Sequence, residues 1–386
     1  MGGLWRRLKR RVKHVLRVLA SLVFGRFRLV PNRVLFRTFQ GEYCCNPKYI
    51  TEELVKRPGL EIIWALNENA PADDVPPGVK IVRLGSAAYI RAAYTAGVWC
   101  ENGLNFVRSA IIRKRRGQTY FQPMHGSLGL KRQGLAAAEI RARADELTDY
   151  VISNSIFENE VYRTSYWPTA EILECGHPRN DLLVSGDAAR KAAVAAKVRS
   201  RLGVAPGVHL AIYAPTFRPG GFVDSFDLDC GRFRRALAAR FGGEWLLLFR
   251  LHKRDLEKFT LASEGCLDVG AYPDIQELLV ACDAGVTDYS SWICDFMLGG
   301  APGFIYASDL ERYSADVGFY YPLESTPFPV CTTNDALEEA VESFSEERYK
   351  AKCAEFLKER GCFETGRASA AVADKIVEAV NAKGRR

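Results

Sequence analysis

The sequence lacks any apolar run near its N-terminus that is long enough to cross a membrane. The uncharged stretch after Arg17 is only eight residues long before Arg26 interrupts it, whereas a membrane-spanning helix needs about 20 predominantly apolar residues. A signal peptide fits poorly too, because Arg17 divides the apolar region and Gly25-Arg26 is not a small-residue cleavage site. We therefore expect this segment neither to span a membrane nor to direct secretion.

Metal-binding patterns are also missing. The eleven cysteines are scattered without a C-x-x-C pair, only Cys44 and Cys45 being adjacent, and no cluster of cysteine and histidine has the spacing of zinc ligands. An odd, dispersed set of cysteines predicts reduced thiols and a cytosolic compartment. The single D-x-D pattern, at residues 227–229, lies in a glycine-rich loop before a helix, and we interpret it as a helix start. We expect no metal and no other cofactor.

Acidic residues are absent from the first 40 positions, which hold eleven Lys or Arg. The remaining chain has 42 basic and 46 acidic side chains, so the net charge of +7 arises at the N-terminus. At helical spacing, residues 3–24 place leucines and valines on one side and arginines and lysines on the other. Such a basic amphipathic helix is typical of segments that lie in an anionic membrane surface. A helix packed on the body of the protein and an arm for nucleic acid are the alternatives, and the broad apolar face argues against nucleic acid.

From residue 34 onward, short apolar runs of strand length alternate with helical patterns. The predicted strands cover residues 34–39, 61–66, 79–84, 96–101, 118–124, 150–153 and 170–176, and then 208–214, 245–251, 267–269, 283–287 and 303–307. Two successive series of this kind predict an α/β protein with two Rossmann-like, doubly wound domains that face each other across a cleft. We expect the domains to cover residues 31–190 and 191–386, after a helical segment of residues 1–30. The last helix, residues 368–380, is amphipathic and suited to packing back on the N-terminal domain.

The most informative stretch, residues 283–309, contains T-D-Y-S-S between a short strand and a helix that ends at Gly299-Gly300. Asp288, Ser290 and Ser291 are residue types that begin helices. A helix start that offers two hydroxyl groups suits a phosphate, because its free amides and the positive end of the helix dipole attract the anion. Many helices begin with Asp or Ser merely as caps, so this stretch gains weight only from the residues around it.

Four further polar segments follow predicted strands, at the edge where open α/β sheets bind their ligands. They read H-G-S-L-G-L-K at 125–131, G-H-P-R-N-D at 176–181, Y-A-P-T-F-R at 213–218 and F-R-L-H-K at 249–253. His125 is suited to accepting a proton near neutral pH, although a lone loop histidine is more often structural. Arg179, Arg218 and Arg250 are suited to binding an anion. Together the five segments predict a site for a highly charged phosphate ligand that cations and a helix dipole neutralise without a metal.

These motifs resemble one family, the CDP-glycerol glycerophosphotransferases, which are polyol-phosphate primases and polymerases of teichoic-acid and capsule synthesis. The resemblance extends over about residues 36–330 and also includes F-Q-G-E-Y-C-C-N-P-K-Y-I near its start and Y-A-S-D-L-E-R-Y near its end. It implies a glycosyltransferase-B-type architecture, with the CDP-polyol donor held mainly by the C-terminal domain and the acceptor on the N-terminal side. It also implies transfer of glycerol phosphate or ribitol phosphate to a hydroxyl of a lipid-linked or glycan acceptor with release of CMP, and peripheral attachment to the cytoplasmic face of the cell membrane.

The resemblance implies roles for residues at matching positions. His125 is the expected general base, and His252 and Arg250 are expected to stabilise the transferring phosphoryl group or the leaving phosphate. The pyrophosphate cradle is implied at Thr287, Ser290 and Ser291, assisted by Arg179, Thr216 and Arg218, with further substrate contacts at Gly126, Ser127, Lys131, Asn180, Pro215, Asp288 and Asp309.

Two other functions stay open from the residues alone. A nucleotide-sugar-dependent glycosyltransferase would use the same architecture, because strand-end cations and a helix N-terminus serve any nucleoside diphosphate. A non-catalytic nucleotide-binding scaffold at the membrane is the second alternative, and the presence of His125, Arg250 and His252 argues against it. Glycerol and ribitol, and single addition and polymerisation, are not distinguished by the sequence.

Overall fold

The computed structural model describes residues 15, 16, 18–132, 138–216, 227–251 and 265–384. Within these residues the N-terminal half contains a seven-stranded parallel sheet in the order β3-β2-β1-β4-β5-β6-β7. Its strands are β1 Val30–Arg37, β2 Glu61–Leu66, β3 Lys80–Arg83, β4 Ala96–Glu101, β5 Thr119–Gln122, β6 Tyr150–Ser153 and β7 Glu171–Glu174. The winding direction changes between β1 and β4, which opens a crevice at the carboxyl ends of the strands.

The central strands are buried because helices cover both faces of the sheet. β2 and β4, with the sequences EIIWAL and AGVWCE, are buried along nearly their whole length, as continuous apolar runs in parallel sheets usually are. The helices of this half are α1 Cys45–Leu54, α2 Ala87–Thr95, α3 Asn105–Arg108, α4 Ala138–Leu147 and α5 Ile156–Ser165. Ser86 and Ser155 cap α2 and α5 by accepting hydrogen bonds from backbone amides of the first turn.

The C-terminal half contains, within the described residues, a six-stranded parallel sheet in the order β10-β9-β8-β11-β12-β13. Its strands are β8 His209–Tyr213, β9 Trp245–Phe249, β10 Cys266–Asp268, β11 Ala284–Thr287, β12 Gly303–Tyr306 and β13 Val330–Cys331. The winding direction changes between β8 and β11, so a second crevice opens beside the T-D-Y-S-S segment.

The helices of the C-terminal half surround this sheet, except for the last one. They are α6 Asp181–Val184, α7 Ala188–Leu202, α8 Cys230–Phe241, α9 Ile275–Ala281, α10 Trp292–Leu298, α11 Leu310–Asp316, α12 Asn334–Glu342, α13 Glu346–Glu359 and α14 Ala368–Gly384. Asp229 caps α8 by accepting from the Arg232 amide, which agrees with the interpretation of residues 227–229 as a helix start. Helix α14 returns to the first sheet, where Val372 and Ile376 join its core.

The loop that follows β5 ties the two halves together. Leu128 and Leu130 belong to the apolar core of the C-terminal half, and Lys131 pairs with Phe319 in an antiparallel bridge. Elsewhere along the junction, the Lys48 ammonium forms buried ion pairs with acidic residues at the start of α9. The two halves therefore share buried contacts at two separate places.

The predicted fold, two doubly wound parallel sheets with a cleft between them, is confirmed. Several predicted strands have the observed bounds, including β2, β4 and β6. Strand β13 and helices α11, α12 and α13 were not predicted. β13 has only two residues, which is too short for a pattern of alternation.

Most of the predicted N-terminal amphipathic helix lies outside the described residues. Residues 18–24 are helical, and the Phe24 ring stacks on Tyr94. Leu19, Leu22 and Val23 on the same segment are exposed. Among the helices that the structure describes, none is long and apolar enough to cross a membrane.

Candidate active site

His125 lies in the loop after β5 and is exposed. Its ring stacks on Phe39, with ring centres 4.4 Å apart, and Nδ1 is 2.6 Å from the Asn102 carbonyl oxygen. Because a carbonyl oxygen only accepts, Nδ1 carries the hydrogen, and Nε2 of the neutral ring keeps its lone pair. Desolvation by the surrounding protein is the main cause that lowers the pKa of His125 to about 4. The positive charges of Arg179 and Lys131 lower it further, and the hydrogen bond to Asn102 raises it.

The Nδ1 hydrogen bond and the lowered pKa together define the state of the His125 ring. The lowered pKa means that the neutral imidazole is the form present near pH 7. Its Nε2 has no hydrogen bond to a described residue. His125 can therefore accept a proton from a group that enters the crevice.

The ends of β8 and β11 form a wall at the carboxyl edge of the second sheet, where hydrogen bonds join them. The Asp288 carboxylate accepts from the Thr216 amide at 2.8 Å, and the Thr287 hydroxyl donates to the Ala214 carbonyl oxygen at 2.8 Å. Asp288, Thr216 and Thr287 are buried, as is Pro215. These side chains shape the wall by holding its two strand ends in register.

Ser290 and Ser291 stand at the rim of this wall, just before α10. Both are half-buried, and neither hydroxyl has a hydrogen bond to a described residue; Ser291 occupies the N-cap position without capping the helix. Helix α10 has only seven residues, so its dipole is small. An anion at this rim would therefore be bound mainly by the two hydroxyl groups.

Arg250 follows β9 and supplies a cation at the junction of the two halves. Its guanidinium donates to the Val269 carbonyl oxygen at 3.2 Å and to the Tyr272 carbonyl oxygen. Burial lowers the pKa of Arg250, while Cys44 and Glu42 of the N-terminal half raise it. Since the ordinary pKa of arginine is far above 7, Arg250 stays charged.

Arg179 connects the His125 loop to α10. It is 4% exposed, and its guanidinium pairs with Asp295 of α10 at 2.8 Å, contacts the Cys45 sulfur at 3.4 Å and reaches the Ser127 hydroxyl at 3.5 Å. One guanidinium group thus spans the distance between the loop that carries His125 and the helix that follows Ser291.

The predicted site residues that the structure describes fall into two groups according to their exposure. The exposed or half-buried members are His125, Gly126, Lys131, Arg250, Ser290, Ser291 and Asp309. The buried members, which bind other protein groups, are Ser127, Arg179, Asn180, Pro215, Thr216, Thr287 and Asp288. Substrate contacts by the members of both groups stay predictions, as do those of His252 and Arg218, which lie outside the described residues.

Two of the buried members illustrate this division. Ser127 is fully buried, and the side-chain amides of Asn154 and Asn180 lie 3.3 Å from its hydroxyl. The Asn180 carbonyl oxygen accepts in turn from Gln276 at 3.0 Å. In the structure both side chains therefore bind protein groups on the buried side of the His125 loop.

Sequence reasoning missed the residues that set the state of His125. Asn102 fixes its tautomer and Phe39 covers its ring. Asn102 follows a strand whose bounds were predicted correctly, whereas Phe39 was assigned to the strand predicted at residues 34–39 and lies beyond the observed end of β1 at Arg37. A polar residue at the end of a central strand was the available signal for Asn102. Among the described residues, no group of three histidine, cysteine or acidic side chains could hold a metal.

Comparison with known proteins places this geometry in context. A family model described as CDP-glycerol:poly(glycerophosphate) glycerophosphotransferase matches residues 19–378. The teichoic acid poly(glycerol phosphate) polymerase of Staphylococcus epidermidis is 29% identical over 376 residues, 90% of this chain and 50% of that protein. The polymerase of the same name from Bacillus subtilis is 28% identical over 401 aligned positions, 96% of this chain and 52% of that protein. The chain spans about half the length of these two relatives.

Solved structures of the wall teichoic acid polymerase TagF match over nearly the whole chain. A histidine-to-alanine variant of TagF aligns with a TM-score of 0.83 and 27% identity, covering 98% of both chains. A histidine-to-asparagine variant that was soaked with CDPG for 15 minutes aligns with a TM-score of 0.81 and 27% identity, covering 98% of this chain and 97% of that one. The chain belongs to the CDP-glycerol:poly(glycerophosphate) glycerophosphotransferase family.

Proposed function

We propose that this protein transfers glycerol phosphate or ribitol phosphate from a CDP-activated donor to a hydroxyl group of a lipid-linked or glycan acceptor, releasing CMP, in the synthesis of a teichoic-acid-like or capsular polymer. The observation that carries the proposal is the hydrogen bond from Nδ1 of His125 to the Asn102 carbonyl oxygen, which leaves Nε2 of an exposed imidazole able to accept a proton. Family membership supports the donor class, as does the TagF variant soaked with CDPG.

In the proposed reaction the acceptor hydroxyl gives its proton to Nε2 of His125 while its oxygen attacks the phosphorus that bears the polyol. The bond between this phosphorus and the bridging oxygen breaks, and CMP leaves with that oxygen and its electron pair. Ser290 and Ser291 donate hydrogen bonds to the donor phosphates, and Arg250 neutralises the charge that builds up on them. His252 is expected to assist Arg250.

The experiment that tests the proposal measures release of CMP and product mass with a purified lipid-linked acceptor. CDP-glycerol, CDP-ribitol and several UDP-sugars are compared as donors. Release of UDP alone would identify a nucleotide-sugar transferase, and release of no nucleotide with any donor would favour the non-catalytic scaffold. Either result contradicts the proposal.

Replacing the base tests the role of His125 directly. His125→Ala is expected to lower turnover about 10²- to 10⁴-fold, the usual contribution of general acid–base catalysis, while donor binding survives. His209→Ala is the matched control, because His209 is a half-exposed histidine at the opposite end of β8 that contacts Asp283. Equal losses of donor affinity and turnover in His125→Ala would show that His125 holds substrate instead of moving a proton.

We further propose that residues 3–24 hold the protein peripherally on the cytoplasmic face of the membrane. Described residues of this segment expose Leu19, Leu22 and Val23, and the basic loop at residues 113–116 lies beside it, since Arg115 donates to the Phe27 carbonyl oxygen at 2.7 Å. Exposed apolar side chains beside cations suit an anionic bilayer surface. The alternative, a helix that only packs on the body, draws support from the stacking of Phe24 on Tyr94.

Flotation with vesicles separates these two roles of the segment. The full chain is expected to float with anionic phosphatidylglycerol vesicles and less with neutral phosphatidylcholine vesicles, and a variant without residues 1–25 is expected to stay in the soluble fraction. Equal flotation of the shortened variant would place the membrane contact elsewhere. Failure of the full chain to float would leave self-packing as the role of the segment.

A further inference from the structure

The loop that carries His125 is held in an unfavourable backbone conformation at two points. Met124, just before His125, has φ of 47°, and Leu128, three residues after it, has φ of 48°. Residues other than glycine, asparagine or aspartate rarely adopt these left-handed angles, and such strain persists only where surrounding contacts impose it. Each of the two strained residues should therefore have an anchor nearby.

Asn46 is the anchor on the N-terminal side of the loop. Its side chain is fully buried, and the amide nitrogen donates to the Pro123 carbonyl oxygen at 2.6 Å and to the Met124 carbonyl oxygen at 3.0 Å. Successive carbonyl groups of an extended chain point in opposite directions, so the left-handed turn at Met124 is what allows one amide to bind both. The Asn46 carbonyl oxygen accepts from the Arg179 amide at 3.0 Å.

Glu158 is the anchor on the C-terminal side. This carboxylate is 4% exposed and accepts from the Leu128 amide at 3.0 Å and from the Asn154 amide at 3.1 Å. It also lies 2.9 Å from Nε2 of His177. Burial lowers the pKa of His177, but Glu158 and Glu364 together raise it by more, so the net direction is upward. A charge-assisted pair thus fixes the carboxylate that receives the Leu128 amide.

We infer that Asn46 and Glu158 are positioning residues for His125, which hold the strained loop so that the imidazole meets the Asn102 carbonyl oxygen and the Phe39 ring. The inference rests on the proposed function, in which His125 is the general base. Neither anchor is offered as a catalytic residue, because both are buried behind the loop.

The groups that face His125 show why loss of an anchor would change its chemistry. They are the Asn102 carbonyl oxygen, the Phe39 ring and the cations Arg179 and Lys131, and they belong to segments other than residues 123–128. A relaxed loop would separate the imidazole from these groups and admit water. The ring would then be less desolvated and would bind a proton more readily.

The test compares Asn46→Ala with Thr51→Ala, a matched control on the same helix. Thr51 is also fully buried, and its hydroxyl donates to the Pro47 carbonyl oxygen at 2.9 Å, so its loss weakens α1 without touching the loop. Asn46→Ala is expected to lower kcat about 10- to 100-fold, the scale of a displacement of about 1 Å at a reacting group. The KM for the CDP-donor is expected to stay within about twofold, because Ser290, Ser291 and Arg250 lie outside the loop.

The ionisation of His125 supplies a readout that does not depend on activity. The chain has five histidines, so the NMR signal of His125 is assigned by its disappearance in His125→Gln. In the wild type the ring is expected to stay neutral from about pH 5 to 8, whereas in Asn46→Ala its pKa is expected to move toward the ordinary value of about 6.5. Thr51→Ala is expected to behave like the wild type in this titration.

A second variant covers the case in which Asn46→Ala does not fold. Asn46→Asp keeps the shape of the side chain but replaces the donating amide with an oxygen that faces two carbonyl oxygens. Glu158→Gln changes the other anchor. Each of these variants is expected to raise the pKa of His125. The inference is overturned if the folded variants titrate like the wild type and keep its kcat. If the wild type transfers nothing from any donor, the proposed function fails, and the titration still decides whether the anchors control His125.

Discussion

Replacing Lys48 by methionine would test how strongly the two halves of the protein are joined. Lys48 is 4% exposed, and its ammonium nitrogen lies 2.8 Å from Asp274 and 2.5 Å from Glu277. Removing one partner of a buried ion pair costs about 3–5 kcal/mol. Since Tyr49 still donates to Asp274 and Lys197 to Glu277, both at 2.8 Å, we expect a loss near the lower end, about 3 kcal/mol.

The pH dependence of this loss has a definite sign. Burial raises the pKa of Glu277, but Lys48 and its other partners lower it by more, so the net direction is downward. In the wild type the contribution of Glu277 is present above its unfolded pKa of about 4.3 and is lost as the pH falls through the folded value. In Lys48→Met the opposing cation is gone, the pKa of Glu277 rises, and acidification neutralises the stranded carboxylate.

The difference in the free energy of unfolding between the wild type and Lys48→Met should therefore be smaller at about pH 5 than at about pH 7. Burial lowers the pKa of Lys48, but Asp274 and Glu277 raise it by more, so the net direction is upward. Its contribution is complete below its unfolded pKa of about 10.4 and is lost only at higher pH, so it is constant over this range.

Urea unfolding followed by tryptophan fluorescence at the two pH values measures both effects. Lys197→Met is the matched control, because Lys197 binds the same Glu277 oxygen with a side chain that is 32% exposed, and partly exposed pairs contribute about 1 kcal/mol or less. A loss below about 1 kcal/mol in Lys48→Met would refute the argument. The argument would also be refuted if the difference in unfolding free energy between the wild type and Lys48→Met were larger at about pH 5 than at about pH 7.

Two further predictions concern the donor cradle and the C-terminal helix. Ser290→Ala combined with Ser291→Ala is expected to weaken binding of the CDP-donor at least about tenfold, because hydrogen bonds to charged groups contribute about 1.5–3 kcal/mol each; unchanged affinity by calorimetry would contradict the cradle. Asp181→Ala is expected to cost about 1 kcal/mol and to speed amide exchange in the first turn of α14, because its carboxylate accepts from the first two amides of that helix, at 2.9 Å and 2.7 Å. Asp187→Ala, which removes the cap of α7, should leave exchange in α14 unchanged.

The sequence predicts the two sheets well because their strands are buried on both faces. Apolar runs such as EIIWAL in β2 and AGVWCE in β4 mark the strands directly. Helices α12 and α13 were missed because they bury few residues; α13, for example, buries Tyr349, Cys353 and Phe356 among 14 residues. These three residues recur at the spacing i, i+4, i+7, so the helical pattern is present but is weak against the charged residues that surround it.

The candidate site could be predicted as a set of strand ends but not as a set of contacts. Strand polarity places Ser127 and Arg179 at the crevice edge, yet in the structure both side chains are buried against protein groups. Asn46 reaches a loop 77 residues away along the chain. Contacts over such separations have no local signature, because neither hydrophobic periodicity nor capping patterns depend on them.

The position of the His125 loop bears on how the crevice works. By strand order the loop belongs to the first sheet, but Leu128 and Leu130 are buried in the core of the second half, and the Tyr320 amide donates to the Leu130 carbonyl oxygen at 3.1 Å. If the two halves moved apart as rigid units, these contacts would break or the loop would bend at its junction with β5. The same loop is bound to the first half through Asn46, Glu158 and Asn102. Packed interiors resist small displacements, so the loop joins the two halves, and donor binding should leave their separation at the loop unchanged.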